Sequence, residues 1–110
     1  MSECDPSLIT RSLLEEGMYQ HIAVLVLLYR EKNKNKDEIM MSDLRYLLGS
    51  GKYLASNRYA ESIVKDLKNL GLLNEKKVKK FRFLSLTRCG EEVSKLLNNL
   101  IEDVERSSNP

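Results

Sequence analysis

The sequence has few of the residues from which catalytic and metal sites are built. Its 110 residues include one histidine, His21, and two cysteines, Cys4 and Cys89. The cysteines form no CxxC pair and the histidine has no metal-ligand partner at a useful spacing, so we do not expect a zinc site. A Ser/His/Asp set and a phosphate-cradling glycine loop are also absent. We therefore expect no enzymatic activity, no bound metal and no cofactor.

Long hydrophobic runs are absent too. The longest apolar run, residues 22–29 (IAVLVLLY), is far shorter than the roughly 18 residues that a membrane span requires. No basic segment precedes an apolar one at the N-terminus, which argues against a secretory signal. Hydrophobic residues make up 42% of the chain and charged residues 31%, which suits a single domain, 1–110, with a buried core. We expect a cytoplasmic protein with no membrane partner.

The two cysteines lie far apart in the sequence. We expect both thiols to be reduced and structural, as is usual inside cells. A Cys4–Cys89 bridge and a redox switch are alternatives that the sequence does not separate.

The net charge of +2 hides an uneven distribution. Residues 1–41 carry five basic and seven acidic side chains, net −2. Residues 42–90 carry eleven basic and four acidic side chains, net +7. Residues 91–110 carry two basic and five acidic side chains, net −3. A basic middle between acidic ends indicates a polyanionic partner.

The first part of the chain is predicted to be helical. Residues 5–17 form a short helix, with Asp5 as its N-cap, Pro6 in its first turn and Gly17 at its end. Residues 18–36 form a second helix, which we place at the centre of the core because its middle is apolar nearly all round. A buried strand is the alternative there, but the length of the run and its leucine content favour a helix.

A short strand at 38–41 precedes two more helices. Residues 42–52 form a short helix for which Ser42 is the N-cap. Residues 56–71 form an amphipathic helix for which Ser56 is the N-cap candidate. Its apolar positions follow helical spacing: Ala60, Ile63, Val64, Leu67 and Leu70.

After Gly71 the spacing of the apolar residues changes from that of a helix to that of a strand. Residues 72–78 and 79–86 are predicted to be two strands around a short basic turn. Phe81 and Phe83 alternate with a basic residue, and we expect both rings to pack against the helices, because a small sheet needs apolar side chains for that contact.

The last predicted helix covers residues 87–108, with Thr87 as its N-cap. It carries an apolar stripe that is too regular to remain in water. A second copy of the chain covers this stripe better than the chain alone, with help from residues 8–14. The members of the stripe are Val93, Leu96, Leu97, Leu100, Ile101 and Val104.

Two short motifs accompany this order of elements. LKNLGLL (67–73) lies at the corner after the fourth helix, and FLSLTRCGEEV (83–93) leads from the second strand into the last helix. Together they resemble the MarR-like winged helix-turn-helix regulators, and the chain is also similar to small archaeal winged-helix DNA-binding proteins that dimerise through a terminal coiled coil. The resemblance covers about 18–106 and is strongest over 56–93. The wing is shorter than is usual in the MarR family.

The resemblance implies an α+β, mainly α fold: a winged helix-turn-helix with a small antiparallel β-hairpin, the wing, and a long C-terminal dimerisation helix. The N-terminal helix would cover 5–17, the winged-helix core 18–86 and the dimerisation helix 87–106. Loop 49–55 is longer and richer in glycine than the turn of a tight helix-turn-helix.

The function implied is that of a double-stranded DNA-binding protein, most simply a transcription regulator. The recognition helix (56–70) would lie in the major groove and the basic wing (74–83) on the flanking backbone. Glu61 would face the base edges with its neighbours on this helix, or it could pair with Lys65 four residues on and be purely structural. The DNA-binding residues would be Lys52, Tyr53, Ser56, Asn57, Arg58, Tyr59, Ser62, Lys65, Lys76, Lys77, Lys79, Lys80 and Arg82.

The resemblance also implies a homodimer that reads a two-fold site with half-sites about one helical turn apart. A small-molecule effector, of unknown identity, could bind beside Met18, Tyr19 and His21, although ordinary packing explains these residues better. The dimerisation residues would be Leu8, Ile9, Leu13, Val93, Leu96, Leu97, Leu100, Ile101 and Val104.

Two alternatives keep the same fold. One is a low-specificity, chromatin-type DNA-binding protein, which differs from a regulator in its specificity ratio alone. The other is a winged-helix module that binds protein. The lysine-rich middle of the chain argues against this second alternative, because the cores of protein interfaces are depleted of lysine.

Overall fold

The computed structural model describes residues 4–50 and 57–107, with the exception of the side chain of Asn57. The order of elements confirms the predicted α+β, mainly α architecture. The elements are helix α1 Pro6–Glu15, helix α2 Tyr19–Lys32, strand β1 Ile39–Met40, helix α3 Met41–Gly49, a 3-10 turn Asn57–Tyr59, helix α4 Ala60–Asn69, strand β2 Leu73–Val78, strand β3 Phe81–Leu86 and helix α5 Arg88–Ser107.

Helix α1 begins and ends as its sequence predicts. The Asp5 Oδ1 atom accepts a hydrogen bond from the backbone N–H of Leu8 at 3.1 Å, and Pro6 occupies the first turn. Gly17 has a φ of +66°, a left-handed conformation that glycine adopts without strain. The chain therefore reverses direction directly into α2.

Of two further predicted N-caps, one is wrong and the other lies outside the described residues. Helix α3 begins at Met41 after an extended Met40, and no side chain caps it, so the prediction that Ser42 is the N-cap is wrong. Ser42 is exposed inside the first turn. Ser56, the cap candidate for α4, lies outside the described residues, and a 3-10 turn precedes α4 instead.

The three strands form one antiparallel sheet in the order β1-β3-β2. Val78 pairs with Phe81, which leaves a two-residue turn at Lys79 and Lys80, and Lys79 has a φ of +58°. The short wing is thus a tight hairpin. Leu84 is the fully buried residue of β3.

The prediction that both phenylalanines pack in the core is wrong. Phe81 is 44% exposed, and Phe83 is half-buried and lies outside the core cluster. The reason is the register of the sheet: side chains alternate between the faces of a strand, and Leu84 takes the inner face of β3.

The core is built around α2, whose apolar middle is buried nearly all round, as predicted. Leu25, Leu27 and Val24 of this helix have no exposed surface. Against it pack the inner faces of the other helices and the sheet. Their buried residues are Leu13, Ile39, Met41, Leu44, Leu48, Ala60, Ile63, Val64, Leu67, Leu72, Leu73, Leu84, Val93 and Leu97.

A hydrogen-bonded corner joins α4 to α5. The predicted cap Thr87 accepts from the backbone N–H of Gly90 at 2.9 Å, and its hydroxyl donates to the carbonyl of Gly71 at 2.7 Å. Its backbone N–H donates to the carbonyl of Leu72 at 3.1 Å. A Cβ atom added at Gly90 would lie 2.0 Å from that same carbonyl oxygen, so the corner requires glycine at this position.

Cys4 and Cys89 form a disulfide, so the expectation that both thiols are reduced is wrong. The Cα atoms are 5.8 Å apart although 85 positions separate the residues in sequence. The bond ties the residue before the α1 cap to the first turn of α5. Sequence spacing gives no measure of such proximity, because it arises only when the two helices pack side by side.

Within residues 4–50 and 57–107, no helix is both long enough and apolar enough to cross a bilayer.

Candidate nucleic-acid interface

Helix α4 presents a charged and polar outer face because its inner face belongs to the core. Ala60, Ile63, Val64 and Leu67 are buried, as the helical spacing predicts. The exposed positions of the helix and of the turn before it include Arg58, Tyr59, Glu61, Ser62 and Lys65. This face is therefore accessible to a large partner along its length.

Four of the predicted DNA-binding residues receive no side-chain description. Lys52, Tyr53 and Ser56 lie outside the described residues, and Asn57 is described only as the first residue of the 3-10 turn. Their role in binding stays a prediction.

Tyr59 lies at the point where the 3-10 turn becomes α4. Its side chain is 48% exposed, and the Arg58 guanidinium carbon lies 5.5 Å from the centre of its ring. That distance is within the range of a cation–π interaction. Arg58 and Tyr59 therefore form one unit at the start of helix α4.

The lysines of the wing are exposed, and two of them have partners. Lys76 Nζ donates to Glu38 Oε1 at 2.9 Å and lies 6.0 Å from the ring of Phe83. Lys80 Nζ lies 5.8 Å from the exposed ring of Phe81. Lys77 and Lys79 are exposed as well. One lysine at the wing tip and one in the middle of β2 therefore each lie over an aromatic ring of β3.

Arg82 differs from the wing lysines because its guanidinium is bound within the protein. Nε and Nη2 donate to the two carboxylate oxygens of Glu75 at 2.8 and 3.0 Å, and Nη1 donates to Glu61 Oε2 at 2.5 Å. Lys68 adds a second cation to Glu75 at 3.1 Å. A phosphate contact by Arg82, as predicted, would have to compete with these bonds.

The same bonds shift the acid–base equilibria of the cluster. The hydrogen bonds from Arg82, with a smaller contribution from Lys68, lower the pKa of Glu75 to about 2 against the opposing effect of burial. The pKa of Glu61 is also lowered, chiefly by its bond with Arg82. Both carboxylates hold the pKa of Arg82 above its ordinary value. The cluster is therefore fully ionised at neutral pH.

Glu61 pairs with two arginines and not with Lys65. It binds Arg82 of the wing and Arg45 of α3, whose Nη2 lies 2.6 Å from Glu61 Oε2. The alternative of an intrahelical pair with Lys65 is not observed, because the two arginines reach the same carboxylate from neighbouring elements. Sequence reasoning missed Arg45 as a member of this surface. The available signal was its place on α3 outside the apolar spacing of Met41, Leu44 and Leu48, which leaves its side chain exposed at the edge of the buried face.

Helices α1 and α5 share an exposed apolar face on a separate side of the chain. Leu8, Leu96, Leu100 and Val104 of the predicted dimerisation set are exposed, Val104 to 67%. Leu14 is exposed beside them. A groove of about 520 Å³ runs between the helices and is lined by Ser7, Thr10, Arg11, Leu14, Glu15, Leu96, Asn99, Leu100 and Asp103.

The rest of the predicted dimerisation set is turned inward. Leu13, Val93 and Leu97 are 2, 0 and 1% exposed in the chain's own core, so their prediction as dimer contacts is wrong. Ile9 and Ile101 are partly buried against that core. The physical reason is that α1 and α2 both pack against α5, and these contacts take one side of the apolar stripe.

A second cavity, of about 550 Å³, lies between the start of α2 and the start of α4. Met18, Tyr19 and His21 line it from one side, and Tyr59 and Ser62 from the other. His21 Nε2 lies 2.9 Å from Asp66 Oδ2. Packing brings these residues together in this position, and an effector in the cavity stays a prediction. Among the described residues, no group of His, Cys, Asp and Glu could hold a metal ion.

No protein-family model and no curated protein matches the chain. Solved structures do match it. F-93 of SSV1 is 22% identical, with a TM-score of 0.64 over 82% of this chain and 93% of that one. The MarR family transcriptional regulator SPO1453 from Silicibacter pomeroyi DSS-3 is 19% identical, with a TM-score of 0.66 over 92% and 67%. TubR of Bacillus thuringiensis serovar israelensis pBtoxis, bound to 24 bp of tubC, is 13% identical, with a TM-score of 0.62 over 98% and 100%.

The fold is therefore a MarR-like winged helix. In that fold α3 and α4 form the helix-turn-helix, β2 and β3 form the wing, and α5 is the long C-terminal helix. The similarity of sequence is low, so it establishes the architecture alone, and the function has to be argued from the surface of this chain.

Proposed function

We propose that the chain is a non-enzymatic, dimeric transcription regulator that binds double-stranded DNA. The observation that carries the proposal is the exposure of basic side chains on two adjoining elements, α4 and the wing, in a chain whose two ends are acidic. DNA presents a dense row of phosphates, and lysines and arginines on one face gain affinity by releasing the counterions of those phosphates. TubR, which shares the fold, is bound to 24 bp of tubC.

Helix α4 supplies the base-reading part of the proposed interface. A helix fits the major groove and presents the residues of its N-terminal half to base edges. Three exposed side chains lie near that end: Arg58 in the turn before α4, Ser62 in its first turn and Lys65 at its middle. Arginine can pair with the O6 and N7 atoms of guanine, so Arg58 is the principal candidate for direct readout.

The wing supplies backbone contacts. Lys77, Lys79 and Lys80 stand at or beside its two-residue turn and are exposed. A hairpin this short reaches less far than a longer wing, so we assign these lysines to the phosphates beside the major groove. Arg82 takes a different role in the proposal: its bonds with Glu75 and Glu61 fix the wing relative to α4.

The exposed face of α1 and α5 supplies the dimer contact. Five large apolar side chains are exposed on two helices that pack against each other, and such a contiguous patch is typical of an interaction surface. A two-fold seam would bury the same patch from each copy. The residues proposed for the seam are Leu8, Leu14, Leu96, Leu100 and Val104.

Selection of bound duplexes from a random pool tests the whole proposal. A regulator of this kind should enrich a palindrome whose half-sites lie about one helical turn, roughly 10 bp, apart. Retention of all duplexes without enrichment would indicate a low-specificity DNA-binding protein instead. No retention at low salt would refute DNA binding and favour a module that binds protein.

A further inference from the structure

A cleft of about 320 Å³ opens where the start of α3, the tip of the wing and the first turn of α4 meet. Three cations line it: Arg45, Lys80 and Arg82. Among the described residues, Glu61 is the one acidic side chain in the lining, so the charged groups that these residues place in the cleft sum to +2. The remaining lining residues are Met40, Met41, Ser42 and Phe81. The cleft therefore lies directly between the two basic elements of the proposed interface.

The two arginines of the cleft are held differently. Arg82 uses Nε, Nη1 and Nη2 on two carboxylates, and its side chain is 28% exposed. Arg45 uses only Nη2, on Glu61, among the contacts of the described residues, and its side chain is 44% exposed. A guanidinium carries five N–H donors, so most of those of Arg45 face away from its one partner.

Glu61 sits in a row of alternating charges that crosses four elements. From α3 to the sheet the row runs Arg45, Glu61, Arg82, Glu75 and Lys68. Because Glu75 fixes Arg82 with two bonds, Arg82 fixes Glu61, and Glu61 in turn fixes the end of Arg45. An arginine that is already oriented loses less conformational freedom when it binds a ligand.

We infer that Arg45 is a further DNA-binding residue, which contacts a backbone phosphate from the cleft, and that Glu61 is the positioning residue that aims it. The inference rests on the proposed DNA-binding function. A phosphate fits because a guanidinium can donate two parallel N–H bonds to it, and because Lys80 faces the same cleft. Arg45 lies on α3 and not on the recognition helix, so it contacts the backbone and carries no sequence information.

The test compares Arg45→Gln with Arg88→Gln on one duplex taken from the selected pool. Arg88 is the matched control because it carries the same charge, is 95% exposed and lies on α5. Arg45→Gln should weaken binding about tenfold at low salt and reduce the slope of log K against log salt by about one, the value for one phosphate contact. Arg88→Gln should change the affinity less than twofold. Arg45→Lys keeps the charge but loses the two parallel N–H donors of the guanidinium. Its affinity for the duplex should lie between those of wild type and Arg45→Gln.

A double-mutant cycle with Glu61→Gln tests the positioning role. If Glu61 aims Arg45, the loss caused by Arg45→Gln should shrink from about tenfold to about twofold in the Glu61→Gln background. An equal loss in both backgrounds would overturn the role of Glu61. If wild type binds the duplex and Arg45→Gln loses no more affinity than Arg88→Gln, the phosphate contact is overturned and the proposed function stays intact. Failure of wild type to bind any duplex would overturn both.

Discussion

The disulfide between Cys4 and Cys89 offers the clearest prediction about stability. Cys4→Ser removes the bridge and changes little else, because Cys4 is exposed, whereas Cys89 is half-buried against the core. The bond closes a loop in which the two residues are 85 positions apart. A bridge over a loop of this length stabilises the folded state by about 4 to 5 kcal/mol, because it lowers the conformational entropy of the unfolded chain more than that of the folded chain.

That contribution is large beside the total stability of a domain, which is typically about 5 to 15 kcal/mol. Unfolding entropy near the melting temperature is about 2.1 cal/mol/K per residue, so for a chain of this size 1 kcal/mol corresponds to about 4 °C. We therefore expect Cys4→Ser to lower the Tm by roughly 15 to 20 °C.

The assay is thermal unfolding followed by circular dichroism, with and without a dithiol reductant. Wild type should lose the same 15 to 20 °C (roughly) when reduced, whereas Cys4→Ser should not respond to the reductant. A shift below about 5 °C on removal of the bridge would refute the entropic reasoning, because it would mean that α1 is held to α5 by packing alone.

Three further predictions address the corner, the ion pairs and the seam. Gly90→Ala should destabilise the chain by about 3 kcal/mol or more in chemical denaturation, because its Cβ would collide with the carbonyl of Leu72; a loss below 1 kcal/mol would contradict this. The pKa of Glu75 is lowered in the folded chain, so its pair with Arg82 stabilises the chain fully above a pH of about 4.5. Up to about 3 kcal/mol of the free energy of unfolding should be lost as the pH falls toward 2. Glu75→Gln should flatten that part of the pH–stability curve, and an unchanged curve would contradict the assignment. Leu100→Glu should convert a dimer to a monomer in sedimentation with the Tm of the monomer nearly unchanged, because the side chain is 46% exposed; a dimer that persists would exclude this seam.

Local features of the fold could be predicted because their causes are local. Asp5 and Thr87 cap their helices through hydrogen bonds that span three residues. The amphipathic spacing of α4 separates buried from exposed side chains in the predicted way. Such features depend on neighbours in the sequence, and for that reason pattern and capping chemistry suffice to find them.

The features that sequence analysis missed depend on contacts between distant residues. The face of β3 that meets the core is set by its register with β1, so Leu84 and not Phe81 became the buried residue. The Cys4–Cys89 bridge requires α1 to lie along α5. The same packing divides the stripe of α5, because Leu97 is covered within the chain while Leu100 is not.

The candidate site divides in the same way. The basic residues of the wing and of α4 are recognisable from composition, and their exposure agrees with the expectation. The ion pairs that link Arg45, Glu61 and Arg82 join residues from three elements, 16 to 21 positions apart for the pairs with Glu61. No helical or strand periodicity relates such positions. Which arginine is bound within the protein and which is more exposed is therefore evident only from the folded chain.

The central claim is that exposed cations of α4 and the wing together bind duplex DNA. Its most direct perturbation is the triple variant Arg58→Gln, Lys65→Gln and Lys79→Gln. These residues lie on the turn before α4, on α4 and at the wing tip, and all three are exposed. Circular dichroism should give unchanged spectra, because none of these side chains belongs to the core.

The deciding measurement is retention of a duplex by this variant and by a control triple variant as the salt concentration is varied. The control, Arg88→Gln, Lys95→Gln and Arg106→Gln, removes the same charge from exposed positions on α5. We expect the first variant to lose at least about a hundredfold in affinity and about 2 to 3 units of salt slope, while the control stays within a few-fold of wild type. Equal retention by both variants and wild type would contradict the proposed DNA binding.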